Sequence, residues 1–293
     1  MRPTIYIATL SAAAALCACS KEAPKTDSAS ISQAAAPAVP AAAYDPASRT
    51  ATVIAKDFAF EAPDSLPAGW TTFRMLNDGP NLHHMVLFRL DGGKTIADAQ
   101  AALKNPGPPP AWLVEVGGPN APDPKAESNA TIELQPGNYV MLCFVDIPEK
   151  TPHFMRGMVR PLKVTAATSA SSAPVADVVL SMADYSFTVK SGTLSAGKHV
   201  VQVLNDGPQG HEVEIVKLAP GKTMKDLAAW MAKFEGPGPA DAIGGIIGVA
   251  KGSTGYFNVE LSAGNYVMIC FAPDAKDGKP HLEHGMIKEF TVQ

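Results

Sequence analysis

The sequence predicts an all-β protein of two tandem Greek-key β-sandwiches, each with one helical excursion. The 293 residues are 46% hydrophobic and 18% charged, as in ordinary globular proteins. The chain also repeats itself once, and each copy consists mostly of short β-branched or aromatic segments separated by Gly, Pro, Asn and Asp. A repeat of this length with two copies indicates a duplicated domain rather than a solenoid.

Residues 1–18 are predicted to be a secretory signal peptide. Arg2 precedes an Ala-rich apolar run and small residues, and the run is too short to remain as a membrane span. The segment "LCAC" resembles a bacterial lipobox, which implies that Cys19 becomes the lipid-modified first residue after cleavage. Ser20 follows, and the same resemblance then implies an outer-membrane lipoprotein on the periplasmic side of the envelope. A plain secreted protein, cleaved nearby, is the alternative.

Two segments are predicted to lie outside the folded domains, a tether before the first domain and a linker between the two. Residues 19–43 contain little besides Ala, Ser, Pro and charges, so they cannot bury a core and are typical of a disordered tether. Residues 166–174, "AATSASSAP", form a short linker. The predicted domains are therefore residues 44–165 and residues 175–293.

The charge balance argues against nucleic acid as a partner. The full chain has 24 Lys and Arg against 28 Asp and Glu, a formal net charge of −4. Removal of Arg2 with the signal peptide makes the mature chain slightly more acidic. A nucleic-acid-binding protein usually shows a basic face.

The two copies align with an offset of 127 or 128 residues. "KDFAF" from Lys56 corresponds to "ADYSF" from Ala183, and "LNDGPNLHHMVLFRL" from Leu76 corresponds to "LNDGPQGHEVEIVKL" from Leu204. In the first copy the predicted strands are, in order, "TATVIAKDFAF", "TTFRMLND", "HMVLFRL", "TIELQPGNYVMLCF" and "MVRPLKV". One helix per copy is predicted, "TIADAQAALKN" and "TMKDLAAWMAKFE", each opening with a Thr that can cap it.

Cysteine usage is informative because an exported protein ordinarily pairs its thiols. Cys17 and Cys19 belong to the export signal, which leaves Cys143 and Cys270 in the folded body. These two occupy the same place in the two copies, and equivalent core positions seldom approach within the ~7 Å between Cα atoms that a disulfide needs. One unpaired thiol in each copy therefore requires another explanation.

Each copy carries the same four candidate metal ligands in the same order. A lone Cys, Met or His in a β-core is usually only packing, but the set of two His, one Cys and one Met suits copper. Period-2 alternation places His211 on the inward face and, by alignment, selects His83 rather than His84. The candidate ligands are His83, Cys143, His153 and Met158, with His211, Cys270, His281 and Met286 in the second copy.

On these residues each copy resembles the cupredoxin family of plastocyanin-like blue-copper proteins. The family pattern of a "G-x-Y-x-x-x-C" strand, a loop, His and "GM" is present as "GNYVMLC" to "HFMRGM" and as "GNYVMIC" to "HLEHGM". Four residues separate His from Met in both copies, whereas nine and ten residues separate Cys from His, a longer loop than in plastocyanin. The resemblance implies a type 1 copper site, with Met as the axial ligand, in one or both copies.

Three functions remain open at this stage. The first is electron transfer or copper handling, with a redox or copper-handling protein as partner. The second is a copper enzyme similar to nitrite reductases, which place a His directly before the Cys; Leu142 and Ile269 stand there instead, so an enzyme is not expected. With seven His in the chain, a multicopper oxidase is excluded by count. The third is a metal-free binding or scaffold module.

Overall fold

The computed structural model describes residues 40–104, 109–146, 150–166, 171–233 and 236–293. The predicted signal peptide, Cys19, most of the predicted tether and residues 167–170 of the predicted linker lie outside the described residues. All the described residues belong to one compact unit, residues 39–293. Within them, no helix is long and apolar enough to cross a membrane.

Strands dominate both repeats. The first repeat contains β1 (Ala43–Asp45), β2 (Thr50–Lys56), β3 (Ala59–Glu61), β4 (Ser65–Pro67), β5 (Gly69–Asn77), β6 (Val86–Leu90), β7 (Leu113–Pro119), β8 (Glu127–Leu134), β9 (Gly137–Leu142) and β10 (Val159–Thr165). The second contains β11 (Val178–Ala183), β12 (Ser186–Ser191), β13 (Gly197–Asn205), β14 (His211–Leu218), β15 (Ala240–Val249), β16 (Thr254–Leu261), β17 (Gly264–Ile269) and β18 (Ile287–Val292).

The strands form two sheets that pack as the layers of a sandwich. One sheet has the order β1-β2-β5-β8-β16-β13-β11-β12, with β3 paired to β2, and the other has the order β18-β17-β14-β15-β7-β6-β9-β10-β4. The repeats meet within each sheet, where Thr131 pairs with Tyr256 and Gly118 pairs with Ile247. The predicted all-β fold is confirmed, and the two sandwiches are in addition joined edge to edge.

The interior between the sheets follows the period of 2 that strands impose. Along β5, for example, Phe73 and Met75 are completely buried and alternate with partly exposed neighbours. They join one continuous apolar core that runs through both repeats and includes Cys143 and Cys270. The ligand candidates therefore begin from positions that the core already fixes.

Each predicted helix is present and covers the outer face of the second sheet. Helix α1 spans Ile96–Ala102 and helix α2 spans Met224–Met231. Thr95 and Thr223 cap them, and each takes part in a reciprocal capping box with the Asp three residues later. Their apolar faces pack in two separate clusters, and the cluster around α1 also includes Ile247 of the second repeat.

Candidate metal centres

In each candidate site, the first His and the Cys are positioned by two strands that pair with each other. His83 lies just before β6, and Cys143 directly follows β9, which pairs with β6. His153 opens a short 3-10 helix, His153–Arg156, that ends at Gly157 in the left-handed conformation with φ of 108°. That turn, which favours glycine, brings Met158 back so that its amide donates to the His153 carbonyl at 3.0 Å.

In the first repeat three donor atoms face one another in a buried pocket. His83 Nδ1 lies 3.1 Å from His153 Nδ1, and Cys143 Sγ lies 3.6 Å from His153 Nδ1. His83 and Cys143 are completely buried and His153 is 1% exposed. Met158 is also completely buried and packs in the same core cluster as Cys143.

The second repeat reproduces this arrangement. His211 Nδ1 lies 3.0 Å from His281 Nδ1, and Cys270 Sγ lies 4.0 Å and 3.4 Å from these two atoms. All three residues are buried, as is Met286, whose amide donates to the His281 carbonyl at 3.0 Å. The structure thus brings together the three predicted His and Cys ligands of each copy, with the predicted Met on the turn that follows.

These distances fit a single bound copper ion. Imidazole nitrogen at about 2.0–2.1 Å and thiolate sulfur at about 2.3 Å from one first-row ion lie roughly 3.1–3.8 Å apart in near-trigonal geometry. The observed separations of 3.0 to 4.0 Å cover that range. Two imidazoles with a thiolate and a thioether favour copper over hard cations, which prefer oxygen ligands.

A carboxylate orients the first imidazole of each site, and the sequence-based selection of ligands missed it. His83 Nε2 donates to Asp57 Oδ1 at 2.9 Å, and His211 Nε2 donates to Asp184 Oδ1 at the same distance. With the proton held on Nε2, the Nδ1 lone pair faces the other donors, as in carboxylate–histidine–metal triads. The repeat alignment contained the signal, since both Asp residues occupy the same place in "KDFAF" and "ADYSF".

Close packing also fixes the ring of the first imidazole. A Cβ added at Gly79 would lie 2.5 Å from His83 Nε2 and 2.9 Å from Asp57 Oδ1. The equivalent atom at Gly207 would lie 2.6 Å from His211 Nε2. The glycine of each "NDGP" turn therefore leaves the space that the imidazole and its carboxylate occupy.

The residue after the first His is buried as well, which corrects the expectation that only one face of this strand points inward. His84 Nε2 accepts a hydrogen bond from the Phe144 amide at 2.7 Å, and Glu212 Oε1 accepts one from the Phe271 amide at 2.8 Å. These amides directly follow the two thiols. Glu214 is also only 5% exposed, because the neighbouring repeat covers the outer face of β14.

Burial sets the protonation of the donors. It raises the pKa of the Cys143 thiol to about 12 and also raises the pKa of Cys270. It lowers the pKa of His153 to about 4, with a further contribution from the neighbouring His83. The imidazoles are therefore neutral at pH 7, which is the form that binds metal, and a thiol releases its proton when a cation binds.

Similar solved structures include auracyanins and a copper nitrite reductase. Auracyanin from Roseiflexus castenholzii is 22% identical, with a TM-score of 0.29 over 40% of this chain and 98% of that chain. Auracyanin A from Chloroflexus aurantiacus is 18% identical, with a TM-score of 0.28 over 40% and 99%. Copper nitrite reductase from Nitrosomonas europaea is 14% identical, with a TM-score of 0.23 over 83% and 93%. No family model matches the sequence. No curated protein matches it either.

The class of the protein is defined by its own sheets and donor atoms. Two β-sandwiches fused edge to edge each hold a buried cluster of two His and one Cys, with a Met on the following turn. The resemblance to cupredoxins that the sequence indicates is confirmed at the level of this fold. Copper is the metal that the donor chemistry of both clusters fits.

Proposed function

We propose that this chain is an envelope-anchored copper protein that carries electrons, with a type 1 site in each repeat. The observation that carries the proposal is the pair of buried clusters in which one ligand atom from each of two His and one Cys lie within 4.8 Å of one another. His83, Cys143, His153 and Met158 would hold one ion, and His211, Cys270, His281 and Met286 would hold the other. Bound copper would supply a one-electron Cu(II)/Cu(I) couple.

The surroundings favour electron transfer over catalysis. The His and Cys ligands are at most 1% exposed, so the protein presents no open coordination position to a substrate at either cluster. Leu142 and Ile269, directly before the thiols, are completely buried apolar residues, so no imidazole leads from either thiol to a second metal. Rigid, preformed ligands suit a centre that gains and loses an electron with little rearrangement.

Two exposed apolar side chains are close in sequence to the candidate ligands. The exposed large apolar side chains of the described residues are Met155, Val175 and Phe271. Met155 lies two residues after His153 and Phe271 directly follows Cys270. We place the contact with a redox partner, or with a protein that delivers copper, at these side chains, which are close in sequence to the ligands.

A copper titration of the purified chain and its thiol variants tests this function. We expect two equivalents of Cu(II) to bind and to produce the intense visible thiolate-to-Cu(II) charge-transfer band. Cys143→Ser and Cys270→Ser should each abolish one half of that band, and the double variant should abolish all of it. If the chain is a metal-free scaffold, neither Cu(II) nor Cu(I) will bind, and the Ser variants will cost only packing stability.

Anchoring in the envelope is tested separately. We expect cells to incorporate labelled fatty acid into the wild-type chain through Cys19 and to deliver it to the outer membrane. Cys19→Ala should remove the label and release the protein from the membrane fraction. Unlabelled wild-type protein in the soluble periplasmic fraction would instead indicate a plain secreted protein.

A further inference from the structure

The two candidate centres have the same types of ligand, but the charged residues around them differ. Because the two repeats have the same fold, the charged residues around one centre can be compared directly with those around the other. Charges near a copper site alter its reduction potential, since Cu(II) carries one more positive charge than Cu(I). The inference below rests on the proposed function.

A buried carboxylate lies next to the second centre. Asp274 is 3% exposed, and its Oδ2 lies 3.8 Å from His281 Nε2. Tyr185 Oη donates to this oxygen at 2.5 Å and Gln209 Nε2 donates to it at 3.0 Å. These hydrogen bonds favour the ionised carboxylate, so Asp274 places a fixed negative charge beside a ligand.

The amide behind the thiol has a different acceptor in the two repeats. In the second repeat it donates to the carboxylate of Glu212, and in the first it donates to the imidazole of His84. The first repeat also directs Glu115 towards the second centre: a Cβ added at Gly210, next to His211, would lie 3.0 Å from Glu115 Oε2. Among the described residues, no carboxylate forms a hydrogen bond or ion pair with His153.

A cation lies near the first centre instead. The Arg156 guanidinium lies over the Phe58 ring at 5.7 Å, and this ring packs edge-on against His153 with centroids 5.3 Å apart. In the second repeat Tyr185 takes the place of Phe58, 5.3 Å from His281, and uses its hydroxyl to hold Asp274. The equivalent aromatic rings therefore contact different charges: Phe58 contacts the Arg156 cation, whereas Tyr185 holds the Asp274 carboxylate.

We propose that the second centre has the lower reduction potential, because Asp274 favours Cu(II) there, whereas Arg156 favours Cu(I) at the first centre. An electron shared between the two sites would then reside at the first. In that exchange one Cu(I) at the second site becomes Cu(II) and one Cu(II) at the first becomes Cu(I), with no bond broken and no proton transferred. The two repeats would thus hold copper sites of unequal reduction potential.

Potentiometric titration of the copper-loaded full chain, followed by the visible charge-transfer band, tests the inference. Cys143→Ser isolates the second centre and Cys270→Ser isolates the first. We expect the second centre to have the more negative potential. Asp274→Asn, which keeps the size of the side chain, should move it in the positive direction, and Arg156→Gln should lower the potential of the first centre only.

Asp277→Asn is the matched control, because Asp277 lies in the same loop but is exposed and pairs with His284 at 3.2 Å. It should shift the second potential less than Asp274→Asn does. Equal or reversed potentials in a chain with both sites loaded would overturn the inference while leaving the proposed function intact. An unchanged second potential in Asp274→Asn would overturn it too, whereas failure to bind copper would refute the proposed function.

Discussion

Asp57→Asn is expected to weaken copper binding at the first centre by about 10- to 100-fold. The Asp57 carboxylate accepts a 2.9 Å hydrogen bond from His83, whose side chain is completely buried. A hydrogen bond to a charged group contributes about 1.5–3 kcal/mol, and about 1.4 kcal/mol corresponds to a factor of ten. Substitution of carboxylates that orient ligating His residues typically costs about 10- to 100-fold in metal affinity. The two estimates agree.

Competition with a chelator of known copper affinity measures this loss in a Cys270→Ser background, where only the first centre remains. Asp78→Asn is the matched control, because Asp78 lies in the "LNDG" turn that precedes His83 but pairs with Lys125 at 2.8 Å instead of a ligand. It should change the affinity less than threefold, roughly, as expected of an exposed ion pair. Equal effects of the two substitutions would refute the role of Asp57 in orienting His83.

Three further predictions follow from the described contacts. Gly79→Ala should lower copper affinity at the first centre, since its Cβ would clash with His83, while Gly238→Ala, whose Cβ would have no neighbour nearer than 3.5 Å, should not; chelator competition distinguishes them. Copper binding should release one thiol proton per site at pH 7, because the pKa of Cys143 is raised to about 12; a weakly buffered pH measurement should show half the release in Cys143→Ser. Burial raises the pKa of Glu115 from 4.5 to about 7, so its ionisation destabilises the fold as pH rises through that window. Glu115→Gln should therefore stabilise the apoprotein by about 1–3 kcal/mol at pH 8 and little at pH 4; equal effects at both pH values in urea unfolding would contradict this.

The fold class and the convergence of the candidate His and Cys ligands were predictable because both depend on patterns that repeat in the sequence. Alternation of apolar residues is the physical requirement of a half-buried strand, and capping Thr residues preceded both helices at the positions observed. His83 was chosen over His84 by the same alternation, and the structure places His83 against Cys143 and His153. These features depend on local rules that sequence displays directly.

Contacts between the repeats were not predictable in the same way. Period-2 alternation assumes that one face of β14 meets a core and the other is free, but β15 pairs with β7 of the first repeat. That junction buries Glu212 and Glu214, which sequence alone marks as polar residues of an outer face. Alternation in the sequence predicts that a strand face is buried only when that face packs against an apolar core. Here the second face of β14 is buried by the edge of the sheet of the first repeat, and the sequence pattern does not show this.

The same limitation explains why the carboxylates around the two centres were overlooked. Asp57 and Asp184 stand out only when the two repeats are compared for polar residues that occur at equivalent positions in both. Asp274 and Glu212 are the opposite case, because they are present in one repeat alone, and an alignment that seeks shared residues discards them. Shared residues define what both sites bind, and the unshared residues around them determine how the two sites differ. In a duplicated chain, the shared ligands therefore indicate which metal both sites bind. The residues that differ around the ligands indicate how the properties of the two sites differ.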